Sequence, residues 1–145
     1  REPDVIKSTG EEWQFGIADS PAIRLAAYAH SEYADRVVVL TFWQIVDPEQ
    51  LGPRHPAEYD RRLKIFVHLL DAEGNIVSQH DTLQAPAWNW TAGDTFVQIH
   101  RLPRGESLPP GDYVLRVGIY TLPGIANLHT PDGAEFVLLP TVRLP

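Results

Sequence analysis

Leu63 to Asp81 reads LKIFVHLLDAEGNIVSQHD, and the fold follows from it. The first half, Leu63 to Asp71, is rich in β-branched and aromatic residues and reads as a strand. Asp71-Ala72-Glu73-Gly74 has the chemistry of a type I turn, with Gly74 free to take positive φ. Asn75 to Asp81 then returns as the partner strand. A glycine bulge at the corner pairs Asp71 with Asn75, setting Leu69 opposite Val77 and Leu70 opposite Ile76. The same register sets His68 opposite Ser78 and Phe66 opposite His80.

The flanking sequence has the same character. Val37 to Val46, VVVLTFWQIV, is apolar on both faces and reads as a central strand, with Trp43 as a structural residue. Asp94 to Leu102 (DTFVQIHRL) follows the turn Thr91-Ala92-Gly93. Leu108-Pro109-Pro110-Gly111 is a stop, and the strand DYVLRVGIY follows it. There Tyr113, Leu115, Val117 and Ile119 share one face by period two, while Arg116 and Gly118 occupy the other. Gly118 would permit close packing against another sheet or loop. Tyr113 sits where a tyrosine corner would in an immunoglobulin-like sandwich.

Shorter strands are expected at Ile23–Tyr28, Glu135–Leu138 and Thr141–Leu144. Thirteen Pro and ten Gly leave no room for an amphipathic helix of any length. Asp47 to Arg62, with three prolines, reads as a long exposed link. About seven or eight strands at regular spacing give an all-β, immunoglobulin-like antiparallel β-sandwich, a single domain over residues 1–145.

Composition narrows the function. At 145 residues the chain is one domain long, and 43% apolar content supports a core without staples. A net charge of −7 and a pI near 5.2 argue against nucleic acid and anionic membranes as partners. The absence of Cys excludes disulfides, thiolate metal sites and a Cys nucleophile. The absence of Met marks a mature form or a fragment of something longer. Val117 to Pro131, the longest charge-free stretch, carries Pro123, Gly124, Asn127 and His129 and does not resemble a membrane span. There is no signal peptide, so membrane or export information would lie outside these residues.

Chemistry-bearing patterns are sparse. His68, His80 and Asp81 form the tightest His grouping, but the spacing that converges three or four metal ligands is missing, so no metal and no cofactor are assigned. Ser78 and His80 share a strand face without the strained elbow and oxyanion hole that nucleophilic catalysis needs. No catalytic residue is assigned. The basic residues Arg54, His55, Arg61, Arg62 and Lys64 are diluted by Glu58 and Asp60 and read as a solvated loop. Trp88-Asn89-Trp90 is the more informative feature. Two indoles two residues apart could stack on sugar rings, or a Trp could plug the end of the sandwich. Trp90 is assigned to the core, and Trp88 with Asn89 to ligand binding.

The strings FWQ (Phe42–Gln44), FVHLLDAEGNIVSQHD (Phe66–Asp81), WTAGD (Trp90–Asp94) and LPPGDYVLRVGIY (Leu108–Tyr120) occur in that order. As a set they resemble the soluble β-sandwich domain at the C-terminal end of bacterial multi-pass glycosyltransferases, in the dolichyl-phosphate-mannose protein mannosyltransferase-like superfamily. Phe15-Gly16-Ile17 leading to Ile23-Arg24-Leu25 resembles that family's opening strand, and Leu139-Pro140-Thr141-Val142 its closing one. Two departures are the length of the Asp47–Arg62 link and the apolar Leu122–Leu128 segment where the family has a polar hairpin.

The resemblance implies that catalysis and lipid-linked donor binding belong to membrane segments outside this chain. It implies a non-catalytic accessory domain outside the cytoplasmic membrane, aiding acceptor recognition, positioning or assembly, with a glycan or glycoprotein acceptor as partner. The alternatives are an independent carbohydrate-binding module using Trp88, and a structural or protein-interaction domain.

Overall fold

The computed structural model describes residues 7–8, 13–17, 20–51, 63–84, 90–105, 108–122 and 126–145. They form two antiparallel sheets packed as a sandwich. One sheet holds β1 (Lys7–Ser8), β2 (Gln14–Ile17), β3 (Ser20–Glu32), β4 (Arg36–Ile45) and β7 (Thr95–Pro103). The other holds β5 (Leu63–Leu70), β6 (Ile76–Thr82), β8 (Gly111–Thr121), β9 (Ala126–Asn127), β10 (Val137–Leu138) and β11 (Val142–Leu144). No α-helix occurs among the described residues, and no helix there is long and apolar enough to cross a membrane.

Period two builds the core. On β4, Val37, Val39, Thr41, Trp43 and Ile45 point inward and are buried. Ile65, Val67 and Leu69 of β5 face them beside Leu115, Val117 and Ile119 of β8, all fully buried. Each such side chain contributes about 1.5–3 kcal/mol on leaving water. The β4 run is central as expected, lying between β3 and β7.

Strand β8 is paired along both edges. Strand β5 covers one edge; β11, β10 and β9 cover the other at Gly111–Tyr113, Arg116–Val117 and Tyr120–Thr121. Of these, β10 and β11 fall within the strands expected at Glu135–Leu138 and Thr141–Leu144, while β9, with β1 and β2, adds to the seven or eight strands read from the sequence.

Three expectations need correction. First, the strand expected at Ile23–Tyr28 extends over Ser20–Glu32. Alanines and the polar His30-Ser31-Glu32 end are poor β signals alone, but β4 offers a partner along that length. A bulge at Ala26 keeps both halves in register with β4. Second, the Asp47–Arg62 link is not all exposed loop: Pro48–Leu51 forms a 3-10 turn that buries Leu51. Residues 52–62 lie outside the described residues.

The third correction concerns the hairpin. Leu70 pairs with Ile76 as expected, and the corner closes with Asp71 N donating to Asn75 O. Gly74 has φ 82°, and Asp71 Oδ1 accepts from the backbone of Glu73 and Asn75. Beyond the corner, however, Leu69 pairs with Ser78, so Val77 is an extra, bulged residue. His68 then faces Gln79, Val67 faces His80, and Phe66 faces Asp81. The expected register would have turned Gln79 and Asp81 toward the core. The one-residue slip keeps the carboxylate out and turns Ser78, His80 and Thr82 inward instead. His68 and His80 therefore lie on opposite faces, not on the shared one expected.

Candidate functional site

The slip at Val77 creates two polar sites, one on each face of the second sheet. On the outer face, register aligns Phe66 with Asp81 and Gly118, and His68 with Arg116. Tyr120 follows two residues beyond Gly118 on the same face. Asn127, Glu135 and Phe136 close the site from the chain that returns across β8. The result is a cleft of about 350 Å³, near the lower end of the roughly 300–1,000 Å³ typical of small-molecule sites.

Gly118 explains why these groups converge. A Cβ there would lie 2.2 Å from the Phe66 ring and 2.7 Å from the Glu135 carbonyl oxygen. The missing side chain lets the ring lie against β8 and the returning chain sit over it.

The hydrogen bonds fix the protonation pattern. Arg116 NH2 lies 3.0 Å from His68 Nδ1, and a guanidinium can only donate. His68 therefore accepts at Nδ1 and carries its proton at Nε2, which lies 3.5 Å from Asp81 Oδ1. Burial holds the His68 pKa below the usual imidazole value; Arg116 adds to the depression, and Asp81 opposes it. Tyr120 donates to Asp81 Oδ2 at 3.1 Å. Burial first, then the Asp81 charge, raises the Tyr120 pKa. Asn127 Nδ2 donates to Glu135 Oε2 at 2.6 Å, and the Arg116 guanidinium lies 5.1 Å from the Phe136 ring centre. Asp81 Oδ1 and Arg116 Nε are buried without a hydrogen bond among the described residues.

The inner site is a closed chain of side chains. Gln98 Oε1 accepts from Gln84 N at 3.0 Å, and its Nε2 donates to Thr82 O at 3.2 Å, which fixes the amide orientation. The same Nε2 lies 3.0 Å from His100 Nε2, so that ring nitrogen accepts and His100 holds its proton at Nδ1. Nδ1 lies 3.2 Å from His80 Nδ1. Thr41 Oγ1 accepts from Trp43 Nε1 at 2.8 Å and reaches His100 Nε2 at 3.2 Å. Burial lowers the His100 pKa to about 3, with the neighbouring His80 adding to the effect. The chain runs from Thr41, Gln98 and His100 of the first sheet to His80 and Thr82 of the second and so ties the sheets together.

The residues singled out by sequence fall as follows. Trp43 is buried 6.1 Å from Phe15, ring centre to ring centre. Trp90 is buried and stacks on Phe96 at 5.0 Å, just before the Thr91–Asp94 turn. Tyr113 donates to the Pro109 carbonyl at 2.8 Å, the hydrogen bond of a tyrosine corner. Trp88 and Asn89 lie outside the described residues, as do Arg54, His55, Arg61 and Arg62. Ser78 donates to Pro103 O at 2.6 Å while His80 meets His100, so the two form no nucleophile–base pair. Among the described residues no three His, Cys, Asp or Glu gather as a metal site.

The cleft residues Tyr120, Glu135 and Phe136 were not singled out by sequence, and Asp81 was weighed only as a metal ligand beside His68 and His80. The alternation on β8 does place Arg116, Gly118 and Tyr120 on one face. Only the bulge, invisible in the sequence pattern, brings Asp81 to them.

No protein-family model matches the chain, and no curated protein matches it. Among solved structures it is similar to the C-terminal domain of Wzt, with 15% sequence identity and a TM-score of 0.50. The match covers 96% of this chain and 78% of that one. At that identity the likeness is one of fold.

Proposed function

We propose that this β-sandwich is a non-catalytic accessory domain that holds a glycan in the outer cleft, as an extracytoplasmic part of a glycosyltransferase-like bacterial membrane protein. The observation that carries the binding role is the cleft itself: polar side chains of His68, Asp81, Arg116, Asn127 and Glu135 line it beside the rings of Phe66, Tyr120 and Phe136. Mixed aromatic and polar surfaces suit sugars, which present C–H faces and hydroxyl edges. The sandwich fold shared with the C-terminal domain of Wzt supports an appended domain. The membrane parent and its location rest on the resemblance of the Phe66–Asp81 and Leu108–Tyr120 strings.

The non-catalytic reading has a chemical basis. Among the described residues, the groups lining the cleft include no Ser, Thr, Cys or Lys nucleophile, and one oxygen of each carboxylate is held, Asp81 Oδ2 by Tyr120 and Glu135 Oε2 by Asn127.

The test is a glycan array probed with the purified domain, with Arg116→Ala and Trp88→Ala in parallel. Retained glycans that Arg116→Ala loses and Trp88→Ala keeps are the expected result. Binding that depends on Trp88 alone would move the site to the Trp88-Asn89 segment, and no retained glycan would remove the binding role. An immunoblot of fractionated cells tests the context. A band far above 16.3 kDa, held by membranes and cut by external protease, is expected; a free band near that mass would overturn the membrane parent.

A further inference from the structure

Resting on that glycan-binding reading, we infer which ring of the cleft meets the sugar and what it selects: Phe136 stacks on a pyranose whose ring substituents are all equatorial.

Three aromatic carbon rings line the cleft, and they differ in what they have left to offer. Phe66 is 6% exposed. Its ring centre lies 4.6 Å from that of His68 and 6.2 Å from that of Tyr120, and its edge abuts the bare Gly118 backbone. Tyr120 is half-buried, turns one face to Phe66 at 25°, and is tied down by its hydroxyl to Asp81. Phe136 is 37% exposed. Its ring contact among the described residues is the Arg116 guanidinium, 5.1 Å from the ring centre and over one face. The surface Phe136 shows to solvent is therefore the opposite face and the ring edge.

That face is held in place before any ligand arrives. Behind it, Arg116 is fixed by the hydrogen bond from NH2 to His68 Nδ1 at 3.0 Å. The next residue, Val137, pairs with Val117 in the sheet. A ring backed on one side and anchored through its backbone loses little freedom when a second ring stacks on it.

Stacking then dictates the sugar's shape. A pyranose with equatorial substituents presents axial C–H bonds to the ring, and such apolar contact suits an aromatic face. Its hydroxyls point sideways, in the plane where Asn127 and Glu135 line the same cleft. An axial hydroxyl would instead point into the Phe136 ring and lose its water with no partner in exchange.

The test is an NMR titration of the 145-residue chain with methyl β-glucopyranoside, whose substituents are all equatorial. Methyl α-mannopyranoside, with an axial oxygen on each face, is the counterpart. Amide shifts at Arg116, Tyr120 and Asn127 locate binding, and upfield movement of the sugar's own C–H signals reports a benzene ring against them. The glucoside is expected to show both, with the upfield movement confined to the axial protons of one face. Phe136→Leu, apolar but without the ring, should abolish that movement and weaken binding roughly 2- to 10-fold. The mannoside should bind roughly 10-fold more weakly than the glucoside, or worse. Upfield movement that survives in Phe136→Leu would place the sugar on another ring and overturn the inference. Equal binding of the two glycosides would overturn the selectivity. Either result leaves glycan binding in the cleft intact. No amide shift with either glycoside would overturn the inference and, with a blank array, the glycan-binding reading beneath it. The comparison of the two glycosides needs no variant, so a folding defect in Phe136→Leu leaves the test decisive.

Discussion

Acid should weaken this fold through His100. The ring is fully buried on the inward face of β7, accepts at Nε2, and donates from Nδ1 to His80. Its folded-state pKa is about 3 against an ordinary 6.5, chiefly because burial penalises the imidazolium. The unfolded chain therefore binds this proton more readily than the folded one. Stability from His100 is complete above pH 6.5 and is lost as pH falls from 6.5 toward 3. The full shift is worth about 5 kcal/mol, and the part lost between pH 8 and pH 5 is about 2 kcal/mol.

Urea unfolding at pH 8, 7, 6 and 5, followed by fluorescence of the buried Trp43 and Trp90, reads this directly. His100→Gln keeps a donor and an acceptor but cannot titrate. Carboxylates and His68 titrate in both proteins, so the difference in slope isolates His100. The wild type should lose about 2 kcal/mol more than the variant between pH 8 and pH 5. Equal losses would refute the argument, as would a folded-state His100 ring that titrates near 6.5 by NMR.

Other consequences can be checked in the same way. Gly118→Ala should destabilise by about 1–3 kcal/mol and lower the melting temperature, because its methyl would fall within 2.2 Å of the Phe66 ring. Nearby cleft signals should shift with it; an unchanged melting temperature would mean the returning chain is not seated on β8. Tyr113→Phe should cost about 0.5–1.5 kcal/mol in urea unfolding by removing the bond to Pro109. Deleting Val77 should remove the bulge without moving the rest of the pairing, because Ser78 then follows Ile76 and stays opposite Leu69. Asp81 should remain on the outer face and unfolding should stay cooperative by circular dichroism; loss of cooperativity would refute Val77 as the one extra residue.

The sequence and the structure part company at identifiable residues. β-Branched and aromatic runs made β4 and β5 readable, and period-two alternation made β8 readable, because these strands bury a face against the opposite sheet. The Gly74 corner was readable because its side chains encode it locally. The bulge at Val77 was not readable, since no residue type there demands it. It follows from the cost of facing Asp81 into the core, which depends on the second sheet. The cleft was hidden for the same reason. Asp81, Arg116 and Glu135 are far apart in sequence, and only pairing of β5 with both β6 and β8 collects them. Beyond β3, the Ala26 bulge escaped notice because one extra alanine leaves no mark on a pattern of alanines.

The way β8 is edged also sets an order of events during synthesis. Its first partner, β5, precedes it in the chain, so one edge is covered as soon as β8 forms. The opposite edge is covered only by segments from residues 126 to 144, which leave the ribosome after it. Until then a long row of backbone donors and acceptors lies open to any neighbouring strand. A nascent chain that has emerged from the ribosome only as far as residue 125 would present that edge, whereas one emerged past Leu144 would hide it behind three short local pairings. Closure by nearby residues is fast compared with waiting for a distant strand. The window for mispairing on the ribosome is thus limited to the time needed to add about twenty residues, roughly one to four seconds at about 5–20 residues per second.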